Sequence, residues 1–123
     1  MAGKILVSVV DDDESVRESL PDLLRELGFA AQPFSSGEAF LSSDYLEQTD
    51  CLILDVSMPG MSGPDLQLEL NRRGLKIPIV FLTALQDENV RARVLQQGAV
   101  ACLFKPFSEK ALREALDAAT RID

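Results

Sequence analysis

The sequence predicts an α/β fold: one sheet of five parallel strands with helices on both faces. Three observations predict it. Apolar bursts alternate with helix-like stretches along the whole chain, in the order of five β-α units. The bursts are continuous runs, which suits strands covered on both faces. The 123 residues, 46% hydrophobic and 26% charged, make one domain with a packed core.

The elements follow in order. Ile5-Leu6-Val7-Ser8-Val9-Val10 is the first strand. The helix after it places Val16, Leu20, Leu23, Leu24 and Leu27 on one stripe and stops at Gly28. Pro21 lies inside that stripe and predicts a kink or a late helix start. A weaker strand spans about Phe29 to Phe34; Pro33 removes a ladder donor and assigns it to a sheet edge. Ser35 and Glu38 have the spacing of a capping box and open the second helix. Cys51-Leu52-Ile53-Leu54 is the third strand. The third helix starts near Gly63-Pro64, with proline in the first turn, although Leu66, Leu68 and Leu70 alternate as a strand would. Ile79-Val80-Phe81-Leu82 is the fourth strand. The helix from about Asp87 to Gln97 has only Val90, Val94 and Leu95 as apolar anchors and is loosely held. Val100-Ala101-Cys102-Leu103-Phe104 is the fifth strand, and the last helix begins after Ser108 and buries Leu112, Ala115, Leu116 and Ala119. Right-handed crossovers then place helices on both faces of the sheet.

Composition excludes several functions. Twelve Lys and Arg against twenty Asp and Glu give a net charge of −8, so this domain repels phosphate backbones and is not a direct nucleic-acid binder. With no histidine, Ser-His-Asp and Cys-His mechanisms and imidazole zinc sites are out. No apolar run reaches the roughly 18 residues of a membrane span, and the start Met1-Ala2-Gly3-Lys4 does not read as a secretory signal. Cys51 and Cys102, far apart in apolar runs, read as buried hydrophobes in a reducing compartment.

In such a sheet, ligands bind outside the carboxyl ends of the strands. Those ends carry Asp11-Asp12-Asp13-Glu14, then Asp55, Thr83 and Lys105-Pro106. Crowded carboxylates repel one another and call for a cation. Hard oxygen ligands suit magnesium, which takes one or two protein carboxylates plus a phosphate oxygen; calcium would want a denser ligand loop. Metal, lysine and hydroxyl around one carboxylate suit a transferring phosphoryl group, with aspartate as the nucleophile.

Val9-Val10-Asp11-Asp12-Asp13, Leu54-Asp55-Val56-Ser57-Met58-Pro59-Gly60-Met61-Ser62-Gly63, Leu82-Thr83-Ala84 and Phe104-Lys105-Pro106-Phe107 together resemble the receiver domain of two-component response regulators. Four separated motifs agree in order and spacing over essentially the whole chain, residues 1–123. The first and last look most like receivers that carry a LuxR-type helix-turn-helix output domain. The resemblance implies a flavodoxin-like (βα)5 sandwich with strand order 2-1-3-4-5. It implies that Asp55 accepts a phosphoryl group from the phosphohistidine of a sensor histidine kinase. Asp12 would bind Mg2+ directly, Asp11 through water, and Asp55 and the Ser57 carbonyl would complete the protein ligands. Lys105 would pair with Asp55 and then with its phosphate, and Thr83 would turn toward a phosphate oxygen. The Lys105–Pro106 bond would be cis. The protein would be a cytoplasmic phosphorelay switch rather than a metabolic enzyme, assisting its own phosphorylation and dephosphorylation and controlling an output domain or a partner, with transcription as the regulated process. Phosphorylation would expose a surface on the fourth helix and fifth strand that favours homodimers.

Two departures from the family matter. Cys102 occupies the position where receivers commonly carry Tyr or Phe, so no large ring swings inward there; Phe104 or movement of the fourth helix would carry the signal instead. Leu85, two residues past Thr83, cannot orient attacking water, which predicts a long-lived phosphoform.

Plainer readings compete at several positions. Asp13 and Glu14 are read as helix N-terminal acids, Met58 and Met61 as loop packing, and Arg91, Arg93 and Arg113 as a solvated face. A magnesium-dependent aspartyl-phosphate phosphohydrolase shares the chemistry, but needs a substrate-covering cap for which 123 residues leave little room. A flavin or nucleotide binder would want a glycine- or hydroxyl-rich loop after the first strand, where this chain has four acids. A degenerate receiver would lack the acids, threonine and lysine found here.

Overall fold

The computed structural model describes residues 3–121. The readings placed on Met1-Ala2 and on Ile122-Asp123 lie outside the described residues. Five parallel strands form one sheet: β1 (Leu6–Val10), β2 (Ala30–Phe34), β3 (Cys51–Asp55), β4 (Ile79–Thr83) and β5 (Ala101–Phe104), in the order β2-β1-β3-β4-β5. Between and after them come α1 (Glu14–Glu26), α2 (Gly37–Leu41), α3 (Gly63–Arg72), α4 (Glu88–Gln96) and α5 (Glu109–Thr120), with a 3-10 turn at Leu46–Gln48 that the sequence did not announce.

The continuous apolar runs are strands covered on both faces: every residue of β3 and β4 is buried. Their alternate side chains feed two cores, as the two-residue pleat requires. On one face, Val7, Val9, Ile53, Val80 and Leu82 pack against Leu20 and Leu24 of α1 and Leu112 and Leu116 of α5. On the other, Leu52, Leu54 and Phe81 pack against Phe40 of α2, Leu66 and Leu70 of α3 and Val94 of α4. Each fully buried Leu or Ile contributes roughly 1.5–3 kcal/mol relative to exposure.

Pro33 lies on edge strand β2, opposite Val9. The α3 ambiguity resolves as a helix: Leu66 and Leu70 are buried and Leu68 is exposed, as a four-residue spacing demands. Ser62 caps α3, and with Asp65 forms a reciprocal capping box. Two expectations need correction. Helix α1 begins at Glu14, ahead of Pro21, because the Asp13 side chain caps its first turn. The cap of α2 is Ser36, one residue later than read, and the helix runs only five residues. Ser36 accepts the Ala39 N–H at 3.0 Å. The loose hold on α4 is borne out: Val94 is its one buried residue.

Candidate functional site

Sheet register brings the acids together. Val10 pairs with Leu54, so Asp11 and Asp55 are the next residues of adjacent strands, and Asp55 pairs with Leu82. Asp11 and Asp55 have the pleat parity of Val9 and Ile53, on the α1/α5 side of the sheet. Lys105 has the parity of Leu103 on the same side. Asp12 follows on the loop into α1. One carboxylate oxygen from each of Asp11, Asp12 and Asp55 lies within 4.8 Å of the others.

Asp11 is 1% exposed and Asp55 7%, whereas Asp12 is exposed. Asp11 Oδ1 accepts the Asp13 N–H at 2.9 Å. Its Oδ2 accepts from Lys105 Nζ at 3.0 Å, while Asp55 Oδ2 is 3.9 Å from the same ammonium. The lysine thus sits closer to Asp11 than to Asp55. Asp11 is thus bonded through both carboxylate oxygens, while Asp55 has one hydrogen bond, from Ser57. Asp55 Oδ1 accepts the Ser57 N–H at 3.3 Å, which places Ser57 beside the site through its main chain. Burial first, and then the charge of Asp11, raise the Asp55 carboxyl from its ordinary 3.8 to about 7, against the opposing pull of Lys105. The Lys105–Pro106 bond is cis.

Thr83 stands apart. It has the parity of Phe81, on the α3/α4 side, and is buried. Its Oγ1 accepts the Leu85 N–H at 3.0 Å and donates to the Leu85 carbonyl at 3.4 Å. The structure therefore gathers Asp11, Asp12, Asp55 and Lys105, keeps Ser57 alongside, and holds the Thr83 hydroxyl on its own loop. Cys102 and Phe104 share the Thr83 side of the sheet; Cys102 packs near Val94, and the Arg91 guanidinium lies 5.5 Å from the Phe104 ring centre.

Two neighbours of the site escaped sequence reasoning. Gly63 follows a loop from Asp55, and its N–H donates to Val56 O at 3.0 Å. A methyl group there would overlap the Asp55 carbonyl and fall 2.9 Å from Phe81 Cε1. The sequence marks Gly63 only as a helix start and motif residue. Arg17 Nη1 donates to the Asp11 main-chain carbonyl at 2.9 Å. The signal for it was present: four residues past the Asp13 cap, a helical side chain reaches back over the preceding loop. Asp13 itself is a cap, accepting Ser15 Oγ at 2.8 Å and Ser15 N–H at 2.9 Å, and these bonds lower its carboxyl below the ordinary value.

The donor set fits a magnesium ion: with Asp55 ionised, three hard carboxylates against one ammonium leave two negative charges, which a divalent ion balances.

A family model described as the response regulator receiver domain matches residues 7–117. Nodulation protein W of Bradyrhizobium diazoefficiens is 43% identical over 120 residues, covering 98% of this chain and 53% of that protein. The transcriptional regulatory protein FixJ of Azorhizobium caulinodans is 37% identical over 118 residues, covering 96% of this chain and 56% of that protein. Among solved structures, the response regulator StyR superposes with a TM-score of 0.88 at 46% identity, over 96% of this chain and 60% of that one. The chain spans about half the length of the curated relatives it matches.

Proposed function

This chain belongs to the response regulator receiver family, and on that premise we propose that Asp55 is its phosphoacceptor and that residues 1–123 form one receiver domain. The convergence of the Asp11, Asp12 and Asp55 carboxylates within 4.8 Å, with Lys105 Nζ 3.0 Å from Asp11, carries the reading. Asp55 ends a fully buried strand, and its oxygens reach the carboxyl edge of the sheet, where family ligands bind.

In the proposed reaction, an Asp55 carboxylate oxygen attacks phosphorus in line. A P–O bond forms as the P–N bond to the donor imidazole breaks, and the imidazole leaves with a proton. Lys105 pairs with the incoming phosphoryl oxygens while staying bonded to Asp11. Asp11, Asp12, Asp55 and the Ser57 carbonyl would hold Mg2+, which when bound supplies positive charge to the carboxylates and phosphoryl oxygens. Thr83 would rotate off the Leu85 main chain toward the phosphate, shifting the loop ahead of α4. That biases a two-state equilibrium of α4 and β5.

The donor is a sensor histidine kinase, and the output is transcription through a DNA-binding domain. Support comes from the family, from relatives about twice this length, and from a relative named a transcriptional regulatory protein. The charge of −8 speaks against direct nucleic-acid binding by this domain. A phosphorylated homodimer through α4 and β5 is part of the same reading; a phosphorylated sample that sediments as a monomer at high concentration would contradict it. A cytoplasmic location is supported by the family and by two free, buried cysteines. Among the described residues no helix is long and apolar enough to cross a membrane.

The test is to incubate the protein with acetyl phosphate and magnesium and map added phosphate by mass, with Asp55→Asn as control. Label on Asp55 and none on the variant is expected. Label elsewhere would refute the assignment, and turnover of a phosphate ester beyond one equivalent would identify a phosphohydrolase instead.

A further inference from the structure

We propose that Arg17 is a positioning residue that holds Asp12 in the acidic site through the main chain of Asp11; the assignment rests on the metal reading given above. Every hydrogen-bonding atom of Asp11 is engaged. Its N–H donates to Phe34 O at 3.1 Å, tying the end of β1 to β2. Its Oδ1 accepts the Asp13 N–H at 2.9 Å, its Oδ2 accepts from Lys105 at 3.0 Å, and its carbonyl accepts from Arg17 Nη1 at 2.9 Å. Two of the four act on the residue that follows: the Asp13 N–H bond holds the peptide plane after Asp12, and the carbonyl bond holds the plane before it. The Asp11 carbonyl and the Asp12 N and Cα lie in one rigid peptide plane. Fixing that carbonyl fixes the plane, and with it the point and direction from which the Asp12 side chain departs.

Asp12 needs such a hold. It is exposed, so packing does not orient it. The Arg17 backbone is itself locked, since its N–H donates to Asp13 O at 3.1 Å in the first turn of α1. The guanidinium is therefore anchored on the helix and reaches back, half-buried, to the start of a run of four consecutive acids, Asp11 to Glu14. A charged donor on a main-chain carbonyl is among the stronger hydrogen bonds available there.

A purely electrostatic role and a positioning role predict opposite outcomes. Removing a positive charge beside the acids would tighten cation binding. Removing the clamp would weaken it, because partners that orient metal ligands are worth about 10–100-fold in metal affinity. The experiment titrates Mg2+ into the full chain, wild type against Arg17→Ala and Arg17→Lys, by calorimetry. In parallel, amide exchange of Asp12 and Asp13 and the melting temperature are measured in EDTA. For Arg17→Ala we expect Mg2+ affinity weaker by about tenfold or more and, in the metal-free protein, faster exchange at Asp13, whose N–H is held by Asp11 Oδ1. Arg17→Lys, which keeps a charged donor, should recover part of both. Arg17→Ala that binds Mg2+ as tightly as wild type, or more tightly, overturns the assignment while leaving the metal reading standing. So does Arg17→Lys that recovers nothing while melting as wild type does. Wild type that takes up no Mg2+ overturns the metal reading and this assignment with it.

Discussion

Replacing Gly63 by alanine tests how the fold supports the carboxylate of Asp55, the proposed phosphoacceptor. The added methyl would overlap the Asp55 carbonyl and lie 2.9 Å from Phe81 Cε1 and 3.0 Å from Val56 Cα. Ordinary carbon contacts are about 3.5–4.0 Å. Two of the three neighbours are backbone atoms of a fully buried strand and the residue after it, so the start of α3 must give way by roughly 1 Å. Overpacking of this kind costs about 1–3 kcal/mol. Stretching the Gly63 N–H···O bond to Val56, now 3.0 Å, adds about 1 kcal/mol. The total is about 2–4 kcal/mol, and at this chain length each kcal/mol lowers Tm by roughly 4 °C. Melting followed by circular dichroism should therefore fall by about 8–16 °C. Gly74→Ala is the control: its φ is +74° and its Cβ would meet open space, so it loses only about 1 kcal/mol for left-handed backbone. At a temperature where Gly63→Ala is still folded, labelling by acetyl phosphate should slow at least about tenfold, because Asp55 moves with its carbonyl. A Gly63→Ala protein that melts within about 3 °C of wild type, or no lower than Gly74→Ala, would refute the reasoning.

Other expectations are as direct. Because the folded-state value of Asp55 is raised to about 7 from 3.8, the folded protein binds the extra proton between those values. Its stability therefore falls as pH climbs from about 4 to 7.5, by about 1–2 kcal/mol after discounting for solvent screening. Melts in EDTA should show that decline and melts in Mg2+ should show less of it, so a gap between the two that narrows with pH would be wrong for this site. Gln67 on α3 is 2% exposed and donates to Val94 O and Gln97 O at 3.3 Å each. Gln67→Leu should cost about 1–2 kcal/mol and speed amide exchange in the last turn of α4; exchange unchanged there would show that the amide does not hold the helix. Leu85 is 55% exposed beside Thr83. The phosphoform should persist for minutes or longer without a phosphatase, and a half-life of seconds would contradict the role given to this side chain.

Much of this was legible because burial on both faces of a parallel sheet leaves an unmistakable trace. The runs ending at Val10, Leu54, Leu82 and Phe104 pointed straight at the residues that follow them, and Pro33 marked an edge. What stayed hidden depends on contacts between distant segments. The closer hold of Lys105 on Asp11 than on Asp55 joins residues 94 positions apart, which spacing does not encode. The direction of Thr83 follows from strand register. The reach of Gln67 across to α4 joins residues 27 and 30 positions apart. Helix α2 was misplaced by one residue because two adjacent serines, Ser35 and Ser36, offer the same chemistry, and only the burial of Phe40 decides between them. The late start read from Pro21 underweighted the Asp13 cap, which closes the first turn before the proline is reached.

The two ends of α4 are held unequally. Val94 and the Gln67 amide grip its last turn, while its first turn has the exposed Arg91 over Phe104 and a flanking loop that ends at Thr83. A rod of nine residues is about 13 Å long, so a grip at the far end acts as a fulcrum. A displacement of one ångström at the Thr83 end becomes a tilt of roughly 4 degrees along the whole arm, turning its outward side chains through an angle without breaking a bond inside the helix. Cys102, too small to swing as a ring would, shares the buried apolar cluster of Val94 at the gripped end.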